Sequence, residues 1–183
     1  PHGKVYDGYS NALLSREVKD GIKVIRVWTY IAANEGFLKR ILDYISFAVM
    51  AFLAGLFVRT DVIVATSPQF FTAVAGRVLA ALKFKPWIME VRDLWPESIV
   101  AVGAMCEGRV YRFLERVEMH LYRSARKVVV VTDAFKAKIV SRGIDVSKID
   151  VHKNGVILDL FTPRPKDAEL LKEHPHLEGK KVF

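Results

Sequence analysis

The chain has 183 residues, a length that suffices for one α/β domain with a core of its own and falls short of two. Hydrophobic residues make up 51% of it, which excludes a largely disordered chain. A net charge of +8 favours an anionic partner, whether nucleic acid, a phosphorylated substrate or an acidic lipid surface. The single cysteine, Cys106, excludes an internal disulfide framework and a paired-cysteine metal site, so we expect a reducing, cytoplasmic compartment.

Apolar, β-rich runs alternate with helical segments along the chain. Asp20-Gly21 is a tight-turn dipeptide between two such runs and predicts a β-hairpin. Beyond it the pattern predicts, in order, a helix over 38–58, a strand over 61–66, a helix over 70–84, a strand over 86–91, a short helix after Trp95, a helix over 109–124, a strand over 127–132, a helix over 134–143 and a strand over 148–152. Short apolar strands without polar alternation are typical of a parallel sheet covered on both faces. The sequence therefore predicts a doubly wound, mostly parallel, Rossmann-like α/β fold.

The helix predicted over 38–58 has no charged residue between Tyr44 and Val58. This run is shorter than the roughly twenty residues of a membrane span, so we expect no span. One apolar face is expected to pack on the sheet; it consists of Leu38, Ile41, Leu42, Ile45, Val49, Phe52, Leu53 and Leu56. The opposite face is also apolar and contains Phe47, Met50, Ala51 and Ala54. Two hypotheses stay open: a buried crossover helix, or one whose second face contacts lipid while Lys39, Arg40 and Arg59 reach headgroups.

The helix predicted over 109–124 carries a single-sided basic row. Its members fall within about 80° of one another on a helical wheel; they are Arg109, Arg112, Arg116, His120 and Arg123. A neighbouring core face is predicted for Val110, Phe113, Leu114, Val117 and Leu121. Guanidinium groups suit phosphate, so the row predicts contact with an anion or a membrane surface. The alternative is a solvated face that Glu115 and Glu118 neutralise in part. No recognised nucleic-acid-binding motif accompanies the row, so no nucleic-acid partner is predicted.

Charged and aromatic residues follow the strand predicted over 86–91. The segment 90–98 reads EVRDLWPES, and ligands of doubly wound sheets bind at the carboxyl ends of strands. Asp93 is the candidate catalytic residue, either accepting a hydrogen bond from a hydroxyl group or acting as a base. The candidate substrate-binding residues are Arg92, Trp95, Glu97, Ser67 and Gln69. The structural alternative is that Asp93 caps a helix, Pro96 lies in its first turn and Trp95 packs in the core.

Several strings of this sequence occur together in one known family. EVRDLWPES, the basic helix, KVVVVTDAFKAKIVSRGI and NGVILDLFTP resemble the N-terminal half of family-4 glycosyltransferases. The branch they resemble is that of bacterial-type L-fucosamine transferases and related sugar transferases of polysaccharide synthesis. PHGKVYDGYS, GIKVIRVWTY and TSPQFFTAVAGRVLA resemble the same branch, so the likeness covers nearly the whole chain.

The resemblance implies a GT-B enzyme, in which two Rossmann-like domains face a cleft. The N-terminal domain would bind the acceptor and the C-terminal domain a nucleotide-sugar donor. The resemblance also implies that a hexosyl or aminosugar unit is transferred with retention of its anomeric configuration. It implies no metal ion and no cofactor. The implied acceptor is a lipid-diphosphate-linked or cell-surface glycan, at the cytoplasmic face of the cell membrane. On this likeness Asp93 and Arg92 line the acceptor side of the cleft.

The domain organisation follows from the same resemblance. Residues 1–161 are expected to form the acceptor-side domain, and 162–183 a linker with a short helix and the start of a second domain. Asn154 and Gly155 would begin the hinge between the domains. The family's first strand and its donor domain lie outside this sequence, so we expect an incomplete piece of the enzyme that is inactive alone. Two alternatives stay open: a nucleotide-sugar epimerase of the same architecture, or a non-catalytic binding domain.

Overall fold

The computed structural model describes residues 5–31, 36–67, 69–101, 103, 105–159, 161–162, 168–177 and 179–180. Residues 163–167 and 181–183, which belong to the predicted linker and second domain, lie outside these ranges. Contacts divide the chain into two compact units, residues 1–153 and 154–183. The domain boundary at 161–162 stays a prediction.

The first unit begins with a β-hairpin. In it β1 (Leu14–Lys19) pairs antiparallel with β2 (Ile22–Val27). Asp20 and Gly21 have φ angles of 51° and 79°, the left-handed conformation that a two-residue hairpin turn of type I′ requires at both central positions. The hairpin predicted from this dipeptide is confirmed.

The rest of this unit alternates helices and strands in the predicted order. The elements are α1 (Phe37–Leu56), β3 (Ile63–Ser67), α2 (Phe70–Lys83), β4 (Trp87–Val91), α3 (Glu97–Ala101), α4 (Arg109–Ser124), β5 (Lys127–Val130), α5 (Asp133–Ser141) and β6 (Ile149–Val151). Strands β3 to β6 pair in parallel and in sequential order, with Ala65, Met89 and Val128 side by side. The predicted α/β class, with a parallel sheet flanked by helices, is confirmed.

The two faces of the four-stranded sheet differ in burial. On one face Met89 and Val128 are 2% and 0% exposed. On the other, Val64 is 59% exposed, and Glu90 and Lys127 are half-buried. The three crossovers from β3 to β6 all step in the same direction along the sheet, so right-handed connections place α2, α4 and α5 on one face. The hydrophobic core therefore lies between that helical layer and the sheet.

Hydrogen bonds join α1 to the chain that leaves the hairpin. Thr29 Oγ1 donates to Asp43 Oδ1 at 2.8 Å, and the Tyr30 backbone N–H donates to Ser46 Oγ at 2.8 Å. Asn11 Nδ2 donates to the Thr29 carbonyl oxygen at 2.8 Å. Asp43 is the only acid of α1, so these contacts satisfy it within an otherwise apolar stretch and orient the helix.

The face of α1 that was expected to pack on the sheet is instead largely exposed. Its outward side chains are 38–75% exposed; they are Leu38, Leu42, Ile45, Val49 and Leu53. The opposite face is half-buried: Met50 and Ala54 line a cavity with residues of the hairpin, and Phe47 and Ala51 line a groove with residues of β3 and α2. Periodicity identifies both apolar faces, but the hydrogen bonds of Asp43 decide which one turns inward. Among the described residues, no helix combines the length and apolarity needed to cross a bilayer.

The second unit is small. It contains α6 (Ala168–Glu173), the short helix predicted in this region, and a 3-10 turn at Pro175–Leu177. Asn154 and Gly155, the predicted hinge, are exposed at its start.

Gly76 of α2 allows the helix to approach β3 closely. A Cβ atom added at Gly76 would lie 2.5 Å from the Cβ of Ala65. We expect Gly76→Ala to lower the free energy of unfolding by about 1–3 kcal/mol, because helix and strand must separate. Urea denaturation measures this loss. Gly55→Ala is the matched control, since the added Cβ would meet only the flexible end of Leu79, at 2.6 Å. An equal loss in both variants would contradict the role of the α2–β3 contact.

Candidate functional site

The carboxyl ends of β3 and β4 form the rim at which a ligand was predicted to bind. Thr66 pairs with Glu90 and Ser67 with Val91, so the chain leaves β4 directly beside the end of β3. Arg92 is exposed and Asp93 is half-buried. Neither residue is sealed inside the protein, and both are placed where parallel sheets bind ligands.

Ser67 supports this rim from the core side. Its side chain faces the helical layer and is 2% exposed, and its Oγ donates to the backbone oxygen of Asp93 at 3.3 Å. Ser67 therefore holds the main chain at Asp93, and its predicted contact with substrate stays a prediction.

A line of polar contacts runs across the less covered face of the sheet. Thr66 Oγ1 donates to Glu90 Oε2 at 2.6 Å, and Glu90 Oε1 lies 3.7 Å from Arg92 Nε. Neither Thr66 nor Glu90 is among the residues predicted from the sequence to bind a ligand. Their partnership depends on the register between two strands that are 24 residues apart in the chain, which no local pattern reveals.

Trp95 anchors the turn that follows Asp93. Its ring stacks on Phe70 with centroids 5.1 Å apart, and it contacts the ring of Phe71 edge-on. Trp95 packs against the hydrophobic core, and Pro96 beside it is fully buried. This agrees with the structural alternative for Trp95; its contact with a sugar ring stays a prediction.

Two other predicted substrate contacts, Glu97 and Gln69, have partners within the protein. Glu97 Oε1 accepts a hydrogen bond from Lys138 Nζ at 3.0 Å, and Gln69 Oε1 accepts one from Thr72 Oγ1 at 3.1 Å. Gln69, Thr72 and Thr66 also line a mostly apolar groove of about 480 Å³ beside β3. The groove thus brings Gln69 near the rim, while its contact with substrate stays a prediction.

A buried charge network joins α4 to α5. Glu118 is 1% exposed and accepts hydrogen bonds from Tyr122 Oη and Arg142 Nη1, each at 2.6 Å. Arg142 Nη2 also donates to Glu115 at 3.3 Å. Burial is the main cause that raises the pKa of Tyr122 above its ordinary value, and the charge of Glu118 adds to it. Asp93 shifts this pKa in the same direction, so the network lies within electrostatic reach of the rim.

The basic row of α4 lies on the surface, and its contact with an anion or a membrane stays a prediction. Its four arginines are exposed; they are Arg109, Arg112, Arg116 and Arg123. Within the described ranges no acid forms an ion pair with them, because Glu115 and Glu118 turn to Arg142 instead. The core face predicted beside the row is partly wrong: Val110 and Phe113 are 65% and 60% exposed. Apolar side chains therefore flank the arginines at the start of the helix.

Comparison with known proteins gives three similarities. The sequence profile described as "Glycosyl transferase 4-like domain" matches residues 6–155. The probable glycosyltransferase WbjE of Pseudomonas aeruginosa is 28% identical over 127 residues, which cover 68% of this chain and 32% of that protein. The crystal structure of Anabaena HepE in complex with UDP-glucose has a TM-score of 0.50 at 16% identity, over 78% of this chain and 34% of that one, a likeness of fold alone. The chain thus spans about a third of the length of each relative.

Tyr122→Phe tests the buried network. At neutral pH we expect the free energy of unfolding to fall by about 1–2 kcal/mol, because Glu118 loses a buried donor. The raised pKa of folded Tyr122 stabilises the fold fully below pH 10, and that contribution is lost as the pH rises further. Above pH 10, ionisation of Tyr122 should therefore lower the free energy of unfolding of the wild type by up to about 1.4 kcal/mol per pH unit. The Tyr122→Phe variant should lack this contribution. Urea denaturation between pH 9 and 11 measures it, with the exposed Tyr6→Phe as control. Equal slopes in wild type and Tyr122→Phe would contradict the assignment.

Proposed function

We propose that this chain, which belongs to the glycosyl transferase 4-like family, supplies the acceptor side of the active site in an enzyme that moves a sugar from a nucleotide-sugar donor to an acceptor hydroxyl. The observation that carries the proposal is the position of Arg92 and Asp93. They follow β4 at an accessible rim of the parallel sheet, within the residues that match the family.

Asp93 positions the acceptor hydroxyl in this proposal. Among the described residues its carboxylate takes no hydrogen bond and no ion pair, while Ser67 holds its main chain. A carboxylate on a fixed backbone orients a hydroxyl donor, and such orientation accelerates transfer between two bound substrates. The reaction retains the anomeric configuration, and the departing diphosphate takes the proton. Arg92 contacts an anionic group of the acceptor, since a guanidinium presents several N–H donors to a phosphate.

The acceptor is carried by a lipid, and the enzyme works at an anionic membrane surface. The support is the outward face of α1, five apolar side chains along a helix of 20 residues. Exposed cationic side chains lie at both ends of this outward face: Lys39 and Arg40 near its start, and Arg59 beyond its end. In a bilayer interface the lipid tails lie beneath the phosphate groups, so the apolar side chains would contact the tails while the cationic ones bind the phosphates.

The basic row of α4 extends this surface. Its arginines are flanked by exposed Val110 and Phe113, so this helix also combines cations with apolar contacts. Helix α2 contacts both α1 and α4, so the helices that carry the two surfaces pack against the same helix. Anionic lipid attracts each basic residue near the surface by about 1 kcal/mol, so four arginines contribute on the order of 4 kcal/mol to membrane binding.

Transfer should depend on Asp93 in the polypeptide that carries this chain. We expect Asp93→Asn to lower the initial rate about 10²-fold, because an amide no longer fixes a donating hydroxyl in the same way. The measurement follows label from a nucleotide-sugar into solvent-extractable lipid. HepE was crystallised with UDP-glucose, so UDP-linked sugars are the first donors to test. Asp61→Asn, at the exposed Asp61 near the other end of β3, is the control and should keep the wild-type rate. Interconversion of the donor sugar without acceptor would contradict the proposal and favour an epimerase.

Membrane binding should depend on the basic row. We expect Arg112→Glu to weaken flotation with vesicles of phosphatidylglycerol and phosphatidylcholine at least about tenfold, because the change removes one attraction and adds a repulsion. Lys172→Glu on α6 changes the net charge equally and should bind like the wild type. Wild-type binding that is equally strong to vesicles of phosphatidylcholine alone, or equal losses in both variants, would contradict a lipid surface at α4.

A further inference from the structure

Glu90 and Thr66 form a fixed pair at the end of two neighbouring strands. The register places Thr66 opposite Glu90, and the threonine hydroxyl donates to Glu90 Oε2 at 2.6 Å. A glutamate side chain on a half-open face has several rotamers, and a short hydrogen bond to a strand residue selects one of them. Glu90 is 30% exposed at its side chain, so the carboxylate is set by Thr66 and not by close packing alone.

The other oxygen of that carboxylate is near Arg92. Glu90 Oε1 lies 3.7 Å from Arg92 Nε, and the arginine side chain is 49% exposed. A long, half-exposed arginine loses rotamer freedom when it is fixed on a ligand. An acid that already restrains the guanidinium reduces this loss at the moment of binding.

An acid beside an anion-binding arginine has an electrostatic cost. The negative charge of Glu90 lowers the local positive potential and weakens the attraction for a phosphate. Glu90 therefore has two opposite effects on the affinity for an anion: its charge repels the anion, and its contact with Arg92 orders the arginine. Their balance is measurable, because neutralising Glu90 changes both whereas removing the Thr66 hydroxyl changes only the ordering.

We propose that Glu90 is a positioning residue that holds the Arg92 guanidinium in place for a diphosphate group of the substrate, and that Thr66 fixes Glu90 for this task. The inference rests on the proposed function, in which Arg92 contacts an anionic group of the acceptor. It adds two residues of the neighbouring strands to the site and names the diphosphate as the group recognised.

Titration of this chain with inorganic pyrophosphate, followed by phosphorus NMR and calorimetry, tests the proposal. Arg92→Ala should abolish binding. Thr66→Val leaves the charge unchanged and should weaken binding about three- to tenfold, the effect of losing one hydrogen bond. Thr66→Ser keeps the hydroxyl and should restore the wild-type affinity. Glu90→Gln should weaken binding although it removes a negative charge. Thr60→Val, which loses a hydroxyl that donates to the Val62 carbonyl, is the control and should bind like the wild type.

The outcomes separate this inference from the proposed function. If Arg92→Ala loses binding while Thr66→Val is unchanged and Glu90→Gln binds more tightly, the positioning role is wrong and the anion site at Arg92 stands. If the wild type does not bind pyrophosphate, or if Arg92→Ala binds as well as the wild type, the anion site and the positioning role are both wrong. Thermal melting of each variant shows that a loss of affinity comes from a folded protein.

Discussion

The pairing of β3 with β4 is the constraint on which the rim depends. Two consecutive residues of β3 act on opposite faces of the sheet: Ser67 holds the main chain at Asp93 from the core side, and Thr66 holds Glu90 from the other. A register shift of one residue would exchange these faces and remove both contacts. The contact of Gly76 with Ala65 keeps α2 close to β3, so core packing and rim geometry depend on the same strand.

Burial separates the charges of α4 into two groups. The acids Glu115 and Glu118 pair with Arg142, directly after α5, and Glu118 becomes part of the protein interior. The arginines stay on the outer face and form no ion pair with an acid among the described side chains. The acids of α4 thus stabilise the packing of this helix within the fold, and its arginines form a positively charged surface.

The order of the elements was predictable because it depends on local chemistry. Asp20-Gly21 specifies a tight turn, and the valines at 128–131 specify a buried strand. The proposed site at Arg92 and Asp93 was predicted from a general property of parallel sheets, that ligands bind at the carboxyl ends of their strands. The inward face of α1 was not predictable, since both faces are apolar and a contact with Thr29 chooses between them. The roles of Ser67, Thr66 and Glu90 were not predictable either. They depend on the register between β3 and β4, which is a property of the fold and cannot be derived from a short stretch of sequence.

Within the described residues β3 pairs only with β4, so its outer edge carries main-chain groups that no strand of the sheet occupies. Exposed Val64 gives this edge an apolar side chain as well. Such an edge accepts a further strand through backbone hydrogen bonds without any change in the existing ladder. Because the carboxyl end of β3 is part of the rim, a strand added at this edge would border the place where the proposed acceptor sits and enlarge the binding surface.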